Sequence, residues 1–308
     1  MRAVVVDPSA SPRLAVREAD PPTPGSSQAV IRVQAFSINP GETRAALAAT
    51  TRYTPGWDFA GVIERAAADS SSPAAGTRVF GFGGGGAWAE LIASPAHLFA
   101  ALPDDVSTAQ AAALPVAGVT ALVCLERAGA LLGRRVLITG AAGGVGRFAC
   151  QLAARAGAQV FAISRRAALA AQLADDGVTP AGIFASMADA KRAGTYDVIL
   201  DSVGGDSLAT ALTAVGFGGV VVNCGNSSQQ PTTFDAREFY LRANARLDGV
   251  WLGAEQYTAQ PRLQRLAALV AQRQLRVPVA VELPWTDIAV AADRLLAGEI
   301  DGKLVLTL

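Results

Sequence analysis

Charge is scarce in this sequence. Only 17% of the 308 residues are charged, and 26 Lys and Arg face 26 Asp and Glu, so the formal charge is zero. No basic run or stripe occurs, which argues against nucleic acid or an anionic membrane as the main partner. Histidine is nearly absent: His97 stands alone, beside three cysteines, Cys124, Cys150 and Cys224. A Ser-His-Asp machine would have to use His97, and no Gly-x-Ser-x-Gly elbow accompanies it. A tetrahedral zinc site needs three or four suitable ligands, and His97 and the three cysteines are scattered through the chain without ligand spacing. The cysteines, odd in number and far apart in the chain, read as reduced, buried thiols of a cytosolic protein. Long apolar runs are also missing. The stretch 111–125 is uncharged, but Pro115 and Gly118 break it and it is short for a bilayer span. Residues 1–7 read as a strand and lack the apolar core of a signal peptide. The expectation is a soluble, cytoplasmic protein.

Apolar residues, in contrast, make up 51% of the chain, enough to rule out disorder as the main state. At roughly 150 residues per domain the length suggests about two domains, each able to bury a core without disulfides. The first hundred residues read as short strands, at 29–35, 59–63 and 77–80, separated by loops rich in Pro, Gly, Ser and Ala. This half reads as a β-rich barrel or sheet. From 135 to 252 the texture changes: strands at 136–139, 160–163, 183–185, 197–200, 220–223 and 247–252 alternate with helical stretches. Such alternation predicts a parallel, doubly wound sheet. In the tail, Leu263, Leu266, Ala267, Val270 and Leu275 are at near-helical spacing, 288–296 predicts a second helix and 302–306 a last strand. The fold class is α/β, with domains at 1–116 (completed by 255–308) and 117–254.

The most informative stretch is Val136-Leu137-Ile138-Thr139-Gly140-Ala141-Ala142-Gly143-Gly144-Val145-Gly146. An apolar strand, a glycine turn, a helix with one apolar face and a second strand arrive in that order. Gly140 permits a sharp turn, Gly143 and Gly144 leave backbone open to a pyrophosphate, and Gly146 lets the helix pack closely on the sheet. The helix start offers free N–H groups and a positive dipole end to phosphates. The spacing is Gly-x-x-Gly-x-x-Gly, with Ala142 in the usual middle position, and a purely structural turn is the bland alternative. A second run, Gly81-Phe82-Gly83-Gly84-Gly85-Gly86, matches Gly-x-Gly-x-x-Gly literally. No helical stripe follows it, and Ala87 to Ile92 reads as extended, so a hairpin tip is the better reading.

The second strand of this unit ends Ser164-Arg165-Arg166, and no acid follows until Asp175. A carboxylate there would hold ribose hydroxyls; a hydroxyl and guanidinium groups would instead hold a 2′-phosphate. NADPH is therefore expected over NADH. Two arginines at a helix start oppose its dipole, which a bound anion would explain better than solvation alone.

At this point the chain resembles a family, the zinc-independent quinone oxidoreductase (zeta-crystallin-like) branch of the medium-chain dehydrogenase/reductase superfamily. The resemblance rests on Asn39-Pro40-Gly41-Glu42, Pro55-Gly56-Trp57-Asp58-Phe59-Ala60-Gly61, Gly86-Ala87-Trp88-Ala89-Glu90, Leu114-Pro115-Val116-Ala117-Gly118, Asp197 to Gly205 and Gly302-Lys303-Leu304-Val305-Leu306. It implies a GroES-like barrel domain, completed by the tail, a Rossmann NADPH-binding domain, an active site between them and a homodimer formed through the sheet edge. The metal-using branch carries a Cys near Ser37, a Gly-His-Glu where this chain has Gly56-Trp57-Asp58, and a four-cysteine lobe absent here. The resemblance implies hydride transfer to an apolar carbonyl or quinone, with enoyl-thioester reduction or a non-catalytic NADPH sensor as alternatives. Asn39, Tyr53 and Thr120 are the candidates for donors to the developing oxyanion. Asn39 doubles as a turn residue, Tyr53 as packing and Thr120 as a cap at the opening of a long helix. Trp57 and Trp88 read as core or as walls of a cleft. Ser202, Val203, Asn223, Cys224 and Gly225 follow the later strands, where ligands sit in such sheets. With Ser164, Arg165, Arg166, Lys303 and the loop residues Gly140 to Gly146, they form the expected cofactor set.

Overall fold

The computed structural model describes residues 1–308, the side chain of Gln256 excepted. Along the chain, the first part holds β1 (Arg2–Val6), β2 (Leu14–Glu18), β3 (Gln28–Ile38), α1 (Pro40–Ala48), β4 (Asp58–Arg65), β5 (Arg78–Phe82), β6 (Leu91–Pro95) and β7 (Phe99–Ala101). Helices α2 (Thr108–Ala113) and α3 (Pro115–Ala128) lead to β8 (Arg135–Ile138), α4 (Gly144–Arg155), β9 (Gln159–Ile163), α5 (Leu169–Asp175), β10 (Gly182–Phe184) and α6 (Met187–Arg192). Then follow β11 (Tyr196–Asp201), α7 (Gly205–Ala214), β12 (Val215–Asn223), α8 (Ala236–Tyr240) and β13 (Arg246–Gly249). The tail holds α9 (Ala259–Ala271), β14 (Val279–Pro284), α10 (Ile288–Leu296) and β15 (Lys303–Thr307).

Internal contacts divide the chain into two compact units, Met1–Val119 with Gly253–Leu308, and Thr120–Leu252. In the first unit, β14, β15, β3, β4, β5 and β7 are neighbours in that order, and β6 pairs with the other end of the long β3. The tail strand β15 runs antiparallel to β3, with Leu304 opposite Ile38 and Leu306 opposite Phe36, so residues far apart in sequence share one sheet. The core of this unit gathers Ile31, Phe36, Phe59, Trp88, Phe99, Ile288 and Leu304. Trp88 is fully buried and stacks on Phe36 at 5.7 Å, which makes it core, whereas Trp57 is 41% exposed.

The second unit is a six-stranded sheet in the order β10-β9-β8-β11-β12-β13, every neighbouring pair parallel. Counted from β8, that is strand order 3-2-1-4-5-6, the doubly wound arrangement whose direction of winding reverses between β8 and β11. The near-continuous apolar β8, β11 and the end of β12 lie in the middle, as strands covered on both faces must.

Several local expectations differ. The last parallel strand ends at Gly249, and Leu252 lies in a short 3-10 turn. The helix read up to Leu275 ends at Ala271, the chain turning through Arg273 at φ 56. Of the extended segment 87–92, only Leu91 and Ile92 join a strand. Strands β2 and β14 and helix α1, unread in the sequence, are too short or too mixed in polarity to show a period.

Candidate active site

The glycine loop lies at the carboxyl end of β8. Gly140 takes φ 59, a left-handed conformation that a side chain resists, and turns the chain out of the strand. A Cβ on Gly146 would stand 2.3 Å from the Gly140 carbonyl oxygen, so only glycine lets α4 approach its own strand this closely. A Cβ on Gly143 would meet nothing nearer than 3.4 Å. Gly143 caps α4 without a side-chain acceptor, so the N–H groups of Gly144, Val145 and Gly146 open the helix with no intrahelical partner. Ala142 is buried beside them.

The reversal of winding puts the ends of β8 and β11 next to each other. Ser202 donates its N–H to Thr139 Oγ1 at 3.0 Å, and its own hydroxyl lies 2.8 Å from where a Gly140 Cβ would be. Behind it, Asp201 is fully buried. It accepts from Thr139 Oγ1, Ser207 Oγ, Gly204 N–H and Asn223 Nδ2 at 2.8–3.1 Å. Asn223 also donates to the Gly225 carbonyl oxygen at 2.9 Å. Asn223 and Gly225 thus shape the rim formed by the strand ends, with Val203 half-buried in the same loop. Cys224 is half-buried, and its thiol pairs with that of buried Cys124, which with burial pushes the Cys124 thiol well above the usual range. The thiols distant in sequence are therefore neighbours in space. Cys150, buried near Asp176, is pushed up to about 12.

At the end of β9, Ser164 is half-buried and accepts the Arg166 N–H at 3.0 Å, while Arg165 and Arg166 are exposed. One detail of the expectation is corrected here. The next helix begins at Leu169, after Ala168, so the arginines stand in the connecting loop and not in the field of its first turn.

The first unit holds a second polar centre. Asn39, at the N-terminus of α1, is buried, and Glu42 accepts both its backbone N–H at 2.9 Å and its side-chain Nδ2 at 2.7 Å. Nδ2 also donates to Asp58 Oδ2 at 2.8 Å, and Lys303 Nζ donates to Asn39 Oδ1 at 2.6 Å. Ser37 Oγ and the Val116 N–H complete the bonds to Asp58, and Trp57 N–H donates to Glu42 Oε2 at 2.6 Å. Both amide hydrogens of Asn39 are committed, so none remains for a substrate oxygen. Lys303, 3% exposed, directs its ammonium to Asn39 and Asp58, the latter at 3.4 Å. Burial, then the charge of Asp58, raises the Glu42 carboxyl to about 8. Tyr53, 39% exposed, is raised in turn by burial and by Glu42. Thr120 does not open its helix: it is buried six residues into α3, which starts at Pro115. Among the described residues no group of three or more His, Cys, Asp or Glu side chains is placed to hold a metal ion.

The sequence reading missed Glu42, Asp58 and Asp201. A signal existed for the first: Asn, then Pro, then Glu three positions on is a helix-start pattern in which the Glu reaches back to the capping residue. Asp58 carried none, because its partners are brought in by segments distant in sequence, and of the Asp201 partners only Gly204 and Ser207 are local.

This architecture matches known families. An alcohol dehydrogenase GroES-like domain model matches residues 25–104, and a zinc-binding dehydrogenase model matches 144–271. The chain belongs to the medium-chain dehydrogenase/reductase superfamily. Within it, the chain is 36% identical over 170 residues to a quinone oxidoreductase of Pongo abelii, covering 52% of each. It is similar to the solved quinone oxidoreductase of Coxiella burnetii, at TM-score 0.86 and 25% identity over 100% of this chain and 99% of that one. It is also 30% identical to a mycocerosic acid synthase-like polyketide synthase of Mycobacterium tuberculosis, over 93% of this chain but 14% of the synthase. The chain thus spans about one seventh of such synthases. No helix among the described residues is long and apolar enough to cross a membrane.

Proposed function

We propose that this chain is an NADPH-dependent reductase that delivers a hydride to a quinone or an α,β-unsaturated carbonyl. The observation that carries the reading is the start of α4. The N–H groups of Gly144, Val145 and Gly146 have no intrahelical partner there, beside a Gly143 position open within the protein, at the strand ends where the winding of the sheet reverses. That cradle fits a dinucleotide's diphosphate. Arg165 and Arg166, with Ser164, would hold a 2′-phosphate at the end of β9. Bound there, the cofactor supplies the hydride, and the protein's part is orientation and electrostatics. Of the three oxyanion candidates, Asn39 has no amide hydrogen left and Thr120 is buried in its helix, so Tyr53 is assigned the donor role.

Similarity to one segment of polyketide synthases favours a second reading, in which the acceptor is an enoyl thioester. Following loss of NADPH absorbance with quinones, enones and enoyl thioesters decides between them. Binding without turnover on any acceptor would leave a nucleotide sensor. The cofactor assignment has its own check. A charge-assisted hydrogen bond contributes about 1.5–3 kcal/mol, so Arg165→Ala should weaken NADPH by roughly one to two orders of magnitude and leave NADH nearly unchanged. Calorimetric titration with both measures it, and equal losses would refute the assignment.

The partner we propose beyond the small molecule is a second copy. Leu247 on the edge strand β13 is exposed, as are Phe217, Tyr240 and Trp251 near the same edge of the sheet in sequence. An unpaired edge bearing apolar side chains is a template for pairing. Light scattering should then give twice the chain mass, and a monomer mass at all concentrations would remove the proposal. A cytoplasmic location agrees with reduced thiols and is part of the same proposal.

A further inference from the structure

Two carboxylates, Glu42 and Asp58, are buried in the first unit, 2% and 0% exposed, with one buried ammonium, Lys303, nearby. The ammonium sits on Asp58 at 3.4 Å, where Ser37 at 2.5 Å, Asn39 and the Val116 N–H also donate. Asp58 is therefore the better-compensated anion. Glu42 receives only neutral donors, from Asn39 and Trp57. An uncompensated second charge in this setting is costly, and taking up a proton removes it. The charges of Asp58 from β4 and Lys303 from β15 act on Glu42, and Glu42 in turn acts on Tyr53 in the loop before β4. That loop runs from Tyr53 to Trp57, whose N–H Glu42 holds, so the carboxyl and the phenol are tied to one five-residue segment.

We propose that Glu42 is a neutral carboxylic acid at neutral pH, and that its ionisation weakens the Tyr53 phenol as proton donor to the reduced acceptor. The second half rests on the reductase reading above. In that reaction a hydride goes to the β-carbon of an enone, the displaced electron pair moves onto the carbonyl oxygen, and the Tyr53 proton goes to the resulting enolate. Solvent then restores the phenol. A negative Glu42 opposes the phenolate left behind, so the step slows once Glu42 loses its proton. The raised Glu42 carboxyl, at about 8, and the upward push of Glu42 on Tyr53 agree with this order of events. Glu42 acts through Tyr53 and is a positioning residue, not a catalytic one.

Carbon-13 NMR of the full chain labelled at glutamate carboxyls tests the first half without any variant or cofactor. One carboxyl should titrate near pH 8; if all titrate below pH 6, the proposal fails. In Asp58→Asn that resonance should titrate at lower pH, because the repelling charge is gone and the ammonium is released to Glu42. Near-ultraviolet absorbance, with Tyr53→Phe as the subtraction, should show Tyr53 ionising at lower pH in Glu42→Gln than in the wild-type chain; an unchanged Tyr53 titration overturns the coupling. With NADPH and an active acceptor, kcat should fall tenfold per pH unit above about 8 in wild type and stay level there in Glu42→Gln. Titration as expected without turnover would sink the reductase reading and leave the Glu42 assignment standing.

Discussion

At the scale of the residue, the glycine loop separates packing from ligand access. Gly146 and Gly143 are three positions apart and both lack a Cβ, yet for different reasons. The Gly146 position is closed by backbone at 2.3 Å, and overpacking of that kind costs about 1–3 kcal/mol. The Gly143 position is open within the protein, at 3.4 Å, with an ordinary φ of −81. Gly146→Ala should therefore lower the denaturation midpoint. Gly143→Ala should leave the midpoint nearly unchanged and weaken nucleotide binding at least tenfold, because its methyl fills the space that the diphosphate would take. Denaturation and calorimetry on the two variants measure both effects. A Gly143→Ala chain that binds as tightly as wild type would show that the loop is only a turn.

At the scale of the element, Asp201 ties four pieces together at one end of the parallel sheet: Thr139 after β8, its own strand β11, the start of α7 through Gly204 and Ser207, and the end of β12 through Asn223. Backbone pairing alone does not hold strand ends in register with the loops that follow them. Asp201→Ala would strand several buried donors, and a hydrogen bond to a charged group contributes about 1.5–3 kcal/mol. The loss should exceed about 3 kcal/mol, read as a shift in denaturant midpoint at unchanged slope. Asp201→Asn tests the charge: it keeps the shape but turns one acceptor into a donor facing other donors, and is expected to recover less than half of the loss.

For the whole molecule, the buried acid in the first unit makes stability depend on pH. The Glu42 carboxyl is raised from 4.5 to about 8 by folding, so between those values the folded chain binds more protons than the unfolded one. Its stabilising contribution is fully present below about 4.5 and is lost as pH rises towards 8. The slope approaches about 1.4 kcal/mol per pH unit for one fully linked proton. Wild type should lose stability relative to Glu42→Gln across that window and run parallel to it above pH 8. Denaturant midpoints for both chains at a series of pH values give the difference directly, and a constant difference would contradict the linkage.

What the sequence determined by itself was everything written in short-range pattern. The strand, glycine turn and helix of 136–155 were legible because each residue's job concerns neighbours within about ten positions. The alternation of strands and helices implied the parallel sheet. The tertiary structure alone decided where charge is balanced. Lys303 reads as the first residue of a final strand beside a glycine, and only the pairing of β15 with β3 carries it to Asn39 and Asp58. Cys124 meets Cys224, and Asp201 meets Thr139 and Asn223, across tens of positions in the chain. A buried charge is stable only beside its counter-groups, and in this fold those groups arrive on strands far apart in sequence, so no local pattern marks them.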